Sequence, residues 1–329
     1  MRARRVLAAI ALALAPLGAH AQAIPSAGPG PAQGRVLRMI VPFPAGSSPD
    51  LIARILTERL APALKHPVIV ENRPGAGGNV GTAAVAHAAP DGYTVGLSIQ
   101  GPLAVNKVLY KKLAYDPFQD LVPVTLVATS PNLLVVDPRL GVASVKDLVA
   151  LAKKQPGKLN YGSVGKGSAS HLTMEMFKEA AGIDLVHVPY PGSPQVNAAI
   201  VAGDVAAAFV VPATAMPLVQ SGRLKALAVS TGHPSAALPA YPSVADSGFP
   251  GVVSVAWNAV VAPAGTPQPT VERLSRELRA IIHSDDVREK FLRLYFEPAG
   301  STPEELGALM RSELERWRSI IEETGASAD

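Results

Sequence analysis

The chain has 329 residues, 48% of them hydrophobic, and its 30 Lys and Arg outnumber its 26 Asp and Glu to give a net charge of +4. Residues 1–21 hold three Arg and no acid, so without them 27 basic residues face 26 acidic ones, and no stripe of cations interleaved with aromatics is left to read nucleic acid. The chain has no cysteine, which excludes disulfides, thiolate chemistry and lipid attachment through an N-terminal Cys.

Arg2, Arg4 and Arg5 precede an apolar run over residues 6–17, and Ala19-His20-Ala21 is an A-x-A box. That pattern is a secretory signal cleaved after Ala21, which implies export to the periplasm, and the run is too short to span a bilayer. Residues 22–35, rich in Pro, Gly and Ala, read as a flexible lead-in. A β-branched apolar run at 36–41 then enters VPFPAGSSPD (41–50), whose Pro42, Pro44 and Gly46 mark a turn into a helix over 50–64. Ser48 is expected as N-cap, Pro49 at the first helical position, and Asp50 against the positive end of the helix dipole. Main-chain N–H groups converge where such a strand ends. This serves equally as a seat for a small anion and as a plain strand–helix connection. On the helix, Leu51, Ile55, Leu56 and Leu60 are expected to face the core, with Arg54, Glu58 and Arg59 outward.

A strand at 68–71, a small-residue helix at 79–88 and a strand at 93–99 follow. Next come a strand at 133–136, a helix at 145–154 opened by a Ser144–Asp147 capping box, and a helix at 168–181 stopped by Gly182. A strand at 186–188 leads to a helix running from Ser193-Pro194 to Gly203. Strands at 205–211 and 224–229 flank a helix ending near Gly222. An apolar run at 252–261 precedes helices at 270–283, 286–295 and 303–323. This alternation argues for an α/β fold with largely parallel sheets. The middle unit, flanked by two segments that need each other, suggests a discontinuous first domain (36–125 and 248–329) around a second (126–247). The crossings at 122–127 and 249–255 would act as hinge.

Three loops carry glycine: RPGAGGNVG (73–81), Gln100 to Pro102, and YGSVGKGS (161–168). The first lacks the G-x-G-x-x-G spacing, and in the last Lys166 is followed by Gly167 instead of Ser or Thr, so neither is a nucleotide fingerprint and no cofactor is expected. Catalytic patterns are thin. There is no G-x-S-x-G and no H-E-x-x-H. His171 with Ser163 or Ser168 could be imagined as base and nucleophile, but no third orienting group accompanies them. Asp50 stands either as a site carboxylate or as a helix-start acid.

The ordered set IVPFPAG with Asp50, VENRPGAGGN, APDGYT, YKKLAYDP, KLNYGS with His171, VHVPYPGS, LKALAVS and APAGTP resembles the periplasmic substrate-binding receptors of tripartite tricarboxylate transporters, the Bug family. The resemblance runs from about Val36 to Glu323. It implies a two-domain periplasmic-binding-protein fold, a type II-like Venus flytrap with the ligand cleft between domains. The implied activity is capture, without catalysis, of a small organic carboxylate for the membrane components of a transporter. Presentation of ligand to a signalling receptor, or a periplasmic hydrolase using His171, are the alternatives. The resemblance further implies one clamp of Pro44, Ala45, Gly46, Ser47 and Asp50. It faces a wall of Gly162, Ser163, Gly165, Gly167, Ser168 and His171, with Tyr190 and Gly192 nearby, and Gln100 and Gly101 close one side. A monomer is expected of a diffusing receptor.

The chain departs from the family's usual pattern at Ser47, Pro49, Lys166, and Val210 and Val211, where an acid and a second polar residue are common. Losing that acid would disfavour a ligand bearing an amino group, and the apolar pair with Lys166 would favour a purely anionic or aromatic carboxylate, a mono- or dicarboxylate. Alternatively, the two valines are strand core and Lys166 is solvated.

Overall fold

The computed structural model describes residues 35–235 and 237–324. The expected signal, its cleavage after Ala21 and the lead-in through residue 34 lie outside the described residues. The chain opens with β1 (Leu37–Val41), α1 (Ser48–Leu64), β2 (Val68–Asn72), α2 (Asn79–Ala86) and β3 (Thr94–Ile99). A π-helical turn at Gly101–Val105 runs into α3 (Asn106–Leu109), and a long strand, β4 (Leu121–Pro131), follows. Then come β5 (Leu133–Val136), α4 (Val145–Lys154), β6 (Asn160–Ser163), α5 (Ala169–Ala181), β7 (Val186–Pro189), α6 (Ser193–Ala202), β8 (Ala207–Val210), α7 (Pro212–Gln220) and β9 (Lys225–Val229). The chain closes with β10 (Val255–Pro263), α8 (Gln268–Ile282), α9 (Asp285–Arg293), β11 (Glu297–Pro298) and α10 (Pro303–Thr324).

Two sheets result, in the orders β11-β4-β10-β3-β1-β2 and β7-β6-β8-β5-β9. Their residues alternate between cores as a pleated strand requires. In β1, Leu37, Met39 and Val41 enter a core shared with α1, α8 and α9, while Ile40 points to the opposite core with Val85 of α2 and Leu306 and Met310 of α10. The second sheet is covered likewise, with α4 and α5 packing on one face and α6 and α7 on the other.

Both sheets are mixed, which corrects the expectation of largely parallel ones. β1 is parallel to β2 and β3, and β6 is parallel to β7 and β8. In contrast, β10 runs antiparallel to β3 and β4, β11 to β4, and β5 to β8 and β9. The cause is the path of the chain. It leaves the first sheet along β4 and returns along the neighbouring β10, and an outward and a returning strand side by side must be antiparallel. Residues 122–127, read as a crossing, therefore lie inside β4, and the passage between sheets falls at Asn132.

Two local expectations also shift. The buried row of α1 is Ile52, Leu56, Leu60 and Leu64, so Leu56 and Leu60 face the core as expected while Leu51 and Ile55 are only half-buried and Ile52 takes the place of Leu51. The N-cap of α1 is Ser47, not Ser48, and its hydroxyl donates to the Pro44 carbonyl at 2.6 Å instead of capping the helix. By contrast, Ser144 does cap α4, accepting the Asp147 N–H at 3.1 Å.

Candidate functional site

The parallel strands decide where a site can form, because their carboxyl ends and the helix starts that follow face one crevice. β1 leads to α1, β6 to α5, β7 to α6 and β8 to α7. Between these ends lies a cavity whose empty space, including the open solvent at its mouth, is about 370 Å³. Ser48 opens α1, Ala169 and Ser170 open α5, Ser193 opens α6, and Val211 precedes α7, and all five residues line the cavity. The first N–H groups of a helix have no carbonyl of their own helix to bind, and the dipole makes that end partially positive. Four such ends on one cavity create a field for an anion without any cation. Among the described residues, no Lys, Arg, His, Asp or Glu lines this cavity or the adjoining space bounded by Phe43, Ser47, Pro49 and Gly192. Ile99, Val164, Val210, Val211 and Ala256 make the remaining walls apolar.

Of the residues expected at the site, Gln100, Val210 and Val211 line the main cavity and Ser47 the adjoining space. Pro44 is half-buried, and Ala45 and Gly46 are exposed at the rim. A side chain on Gly192 would come within 3.0 Å of Pro44 Cδ, so the loops before α1 and α6 already touch across the crevice.

Asp50 does not line the cavity, and its carboxylate is occupied by its own loop. It accepts hydrogen bonds from Gly46 N at 2.9 Å, Arg54 Nε at 2.9 Å and Asn72 Nδ2 at 3.0 Å. Burial alone would raise its pKa, but the bonds from Arg54, Gly46 and Asn72, with the charge of Arg54, bring it below the usual value.

The glycine loop after β6 is likewise built from inside. Ser163 Oγ lies 2.6 Å from His187 Nε2 and accepts from Gly165 N at 3.1 Å. Ser168 caps α5 and donates to the Gly165 carbonyl at 2.6 Å, and Gly167 N donates to His171 Nδ1 at 3.3 Å. The rings of His171 and His187 lie 4.4 Å apart, and His187 stacks on Tyr161. Burial, then the charges of Lys178 and Lys166, push His171 down to about 4. Burial and the neighbouring His171 push His187 to about 3. Both imidazoles are therefore neutral at pH 7. Gly165 and Gly167 press this loop onto the other side of the crevice. A Cβ on Gly165 would stand 2.6 Å from Gly77 Cα, and one on Gly101 would stand 3.0 Å from the Gly167 carbonyl. Tyr190, half-buried, packs with the α6 core and is not a cavity residue.

Sequence reasoning read Ser48 and Ser193 only as helix starts and not as lining residues, and missed Ser170, Asn132 and Asn258 altogether. Two signals were available. Ser193-Pro194 repeats the Ser48-Pro49 pattern after a glycine, and Asn132 and Asn258 interrupt otherwise apolar runs, where a polar group is costly unless something binds it. Among the described residues no cluster of His, Asp or Glu could hold a metal ion, and no helix is long and apolar enough to cross a membrane.

Comparison with known proteins places this geometry in context. The model of the tripartite tricarboxylate transporter family receptor matches residues 52–326. Protein BugT of Bordetella pertussis is 37% identical over 99% of both chains. Among solved structures, the periplasmic binding protein BugD is 32% identical, with a TM-score of 0.85 over 89% of this chain and 99% of that one. Rpa4515 of R. palustris with adipate is 33% identical, with a TM-score of 0.87 over 90% and 99%. MatC of Rhodopseudomonas palustris with bound malate is 29% identical, with a TM-score of 0.83 over 88% and 99%.

Proposed function

The chain belongs to the tripartite tricarboxylate transporter receptor family, and we propose that it is a periplasmic solute receptor that closes two lobes around a small organic carboxylate. One observation carries the reading: four helix N-termini, that of α1 from one side of the crevice and those of α5, α6 and α7 from the other, meet on a cavity that no charged side chain lines among the described residues. A carboxylate bound there gains charge-assisted hydrogen bonds from main-chain N–H groups, and its charge meets no cation that would need its own partner. The adipate and malate held by the two R. palustris proteins are of the same chemical class.

The lobes of this proposal were expected at 36–125 with 248–329 and at 126–247, and the run of β4 and β10 moves their borders to 36–131 with 255–324, and 132–254. Contacts between them, such as Gly165 against Gly77, exist only when the crevice is shut. Ligand favours the shut form by the difference in its contacts with the two forms and by no more than that. The shut receptor then delivers its cargo to the membrane components of a tripartite transporter, following cleavage of the signal after Ala21. The receptor releases the carboxylate chemically unchanged. The candidates for base and nucleophile, His171 with Ser163 or Ser168, are engaged elsewhere, Ser163 with His187 and Gly165 N, Ser168 with the Gly165 carbonyl and His171 Nδ1 with Gly167 N, and none of the three lines the cavity.

The clamp residues proposed to surround the carboxylate are Pro44, Ala45, Gly46 and Ser47 with the starts of α1, α5 and α6. Asp50, Gly165, Gly167, Ser168 and His171 shape the two loops from behind. A thermal-shift screen of mono-, di- and tricarboxylates on the mature protein tests the reading. A ligand at about 100 times its Kd adds about 2.7 kcal/mol, a rise of roughly 5–10 °C for a domain of about 150–250 residues. Product formation from any such acid, or no shift across the whole set, would reject it. Valines at 210 and 211 leave no acid to pair with an ammonium, so amino acids should bind more weakly than their deaminated analogues.

A further inference from the structure

One wall of the cavity differs from the rest. It is built from the ends of three adjacent strands, β4, β10 and β3, and each contributes one side-chain amide. Asn132 follows the last residue of β4, Asn258 lies within β10 opposite Ile99, and Gln100 follows the last residue of β3. All three side chains are about 1% exposed. Each nevertheless has a buried polar atom with no partner: Gln100 Nε2, Asn132 Nδ2 and Asn258 Oδ1. Gln100 is oriented by its other end, since its Oε1 accepts the Trp257 main-chain N–H at 3.1 Å, which leaves the NH₂ group as the unused end. Buried polar groups are almost always satisfied, so three orphans on one wall call for an occupant.

We propose that this wall reads a neutral group on the ligand that both accepts and donates hydrogen bonds, a hydroxyl or a primary carboxamide, and that the receptor's substrates are monocarboxylates carrying such a group. The assignment rests on the carboxylate reading above and deepens it. The two amide nitrogens donate and the Asn258 oxygen accepts. A second carboxylate can only accept, and it would face the Asn258 oxygen with no proton to offer. An ammonium can only donate, and it would leave Gln100 and Asn132 unanswered. A methyl group answers none of the three. A hydroxyl, with two lone pairs and one proton, or a carboxamide, with a carbonyl oxygen and an NH₂, can satisfy all of them. The helix starts opposite hold the ligand's ionised end, and Val210, Val211 and Ile99 pack its apolar middle.

Titration calorimetry of the mature protein with two matched series tests this. One series is straight-chain carboxylates of four to six carbons ending in methyl, hydroxyl, carboxamide, carboxylate or ammonium. The other is benzoates bearing the same groups in the para position. The hydroxyl or carboxamide member of at least one series is expected to bind at least tenfold tighter than its methyl, carboxylate and ammonium counterparts. Asn132→Leu and Gln100→Met should flatten that ratio. Asn258→Asp, which keeps the shape and adds a charge, should raise the affinity of the ammonium-ended probe at least tenfold. Tightest binding by a carboxylate- or methyl-ended member, or an unaltered ammonium affinity in Asn258→Asp, overturns the assignment and leaves the carboxylate receptor standing. Absence of binding by every member of both series overturns the receptor reading and this assignment together.

Discussion

The hydroxyl of Ser230 donates to the main-chain carbonyl of Ser254 at 2.6 Å and accepts the Asn132 N–H at 2.9 Å, so one side chain ties together the points where the chain passes between the two sheets. Main-chain bonds reinforce the knot, from Ser230 N to the Asn132 carbonyl and from Ser254 N to the Ser230 carbonyl, both at 2.8 Å. Ser230 is fully buried, so Ser230→Ala strands a donor and an acceptor that no water can reach. Urea denaturation should show a loss of about 1–3 kcal/mol.

The carboxylate of Asp50 acts on the loop before α1 from behind. Asp50→Ala should cost about 0.5–1.5 kcal/mol at pH 7 through the bonds lost to Gly46 and Asn72, because the exposed Gly46 N–H can turn to water, Asn72 Nδ2 keeps the Phe43 carbonyl, and the half-exposed Arg54 pair is screened by solvent. The folded carboxyl titrates below its unfolded value, so its contribution is complete above that unfolded value of about 3.9 and fades as pH falls through the folded one. Denaturation midpoints of the variant and the unsubstituted protein should therefore converge below about pH 4.

His171 and His187 impose a second acid dependence at a higher pH. Their folded values of about 4 and about 3 lie below the unfolded value of about 6.5, so the unfolded chain takes up protons that the native one refuses. Their contribution is intact above about pH 6.5 and is lost progressively as pH falls toward their folded values. Urea midpoints between pH 7 and pH 4.5 should fall with that slope, and the slope should shrink in a His171→Gln/His187→Gln variant that still folds.

Closure itself can be blocked by a single methyl group. Gly165→Ala sets a Cβ 2.6 Å from Gly77 Cα at a φ of +113°, which an L side chain rarely adopts. Affinity for a carboxylate should fall at least tenfold, about 1.4 kcal/mol. Gly192→Ala separates strain from obstruction, because its φ of −173° suits any residue and only the 3.0 Å approach to Pro44 Cδ is disturbed. It should weaken binding by a smaller factor with an unchanged melting temperature. Scattering curves with and without ligand would show whether the shut form is still reached.

Much of the fold was legible because local physics writes it into the chain. Turns at Gly and Pro, the Ser144 cap and the apolar periods placed most helices and strands within two residues of where they stand. β4 was missed for the opposite reason. Its sequence, LVPVTLVATSP, carries no clean alternation, and it becomes a strand because β10 returns beside it. The clamp loops were legible through glycine and proline, yet the roles within them were not. Asp50 and His171 turned out to brace their loops, since a side chain's partners four residues away and across the chain are decided by packing.

By itself, then, the sequence determined an α/β chain with Gly- and Pro-marked helix starts and no cysteine. Its motifs also carried a resemblance to carboxylate receptors. Only the tertiary structure decided that Ser48, Ala169, Ser170 and Ser193 point their helix ends at one cavity, and that Gln100, Asn132 and Asn258, far apart in the chain, share one wall of it. The reason is physical. Helix and turn formation depend on neighbours along the chain, whereas a binding site made of main-chain ends and buried amides exists only where separate strands are brought side by side.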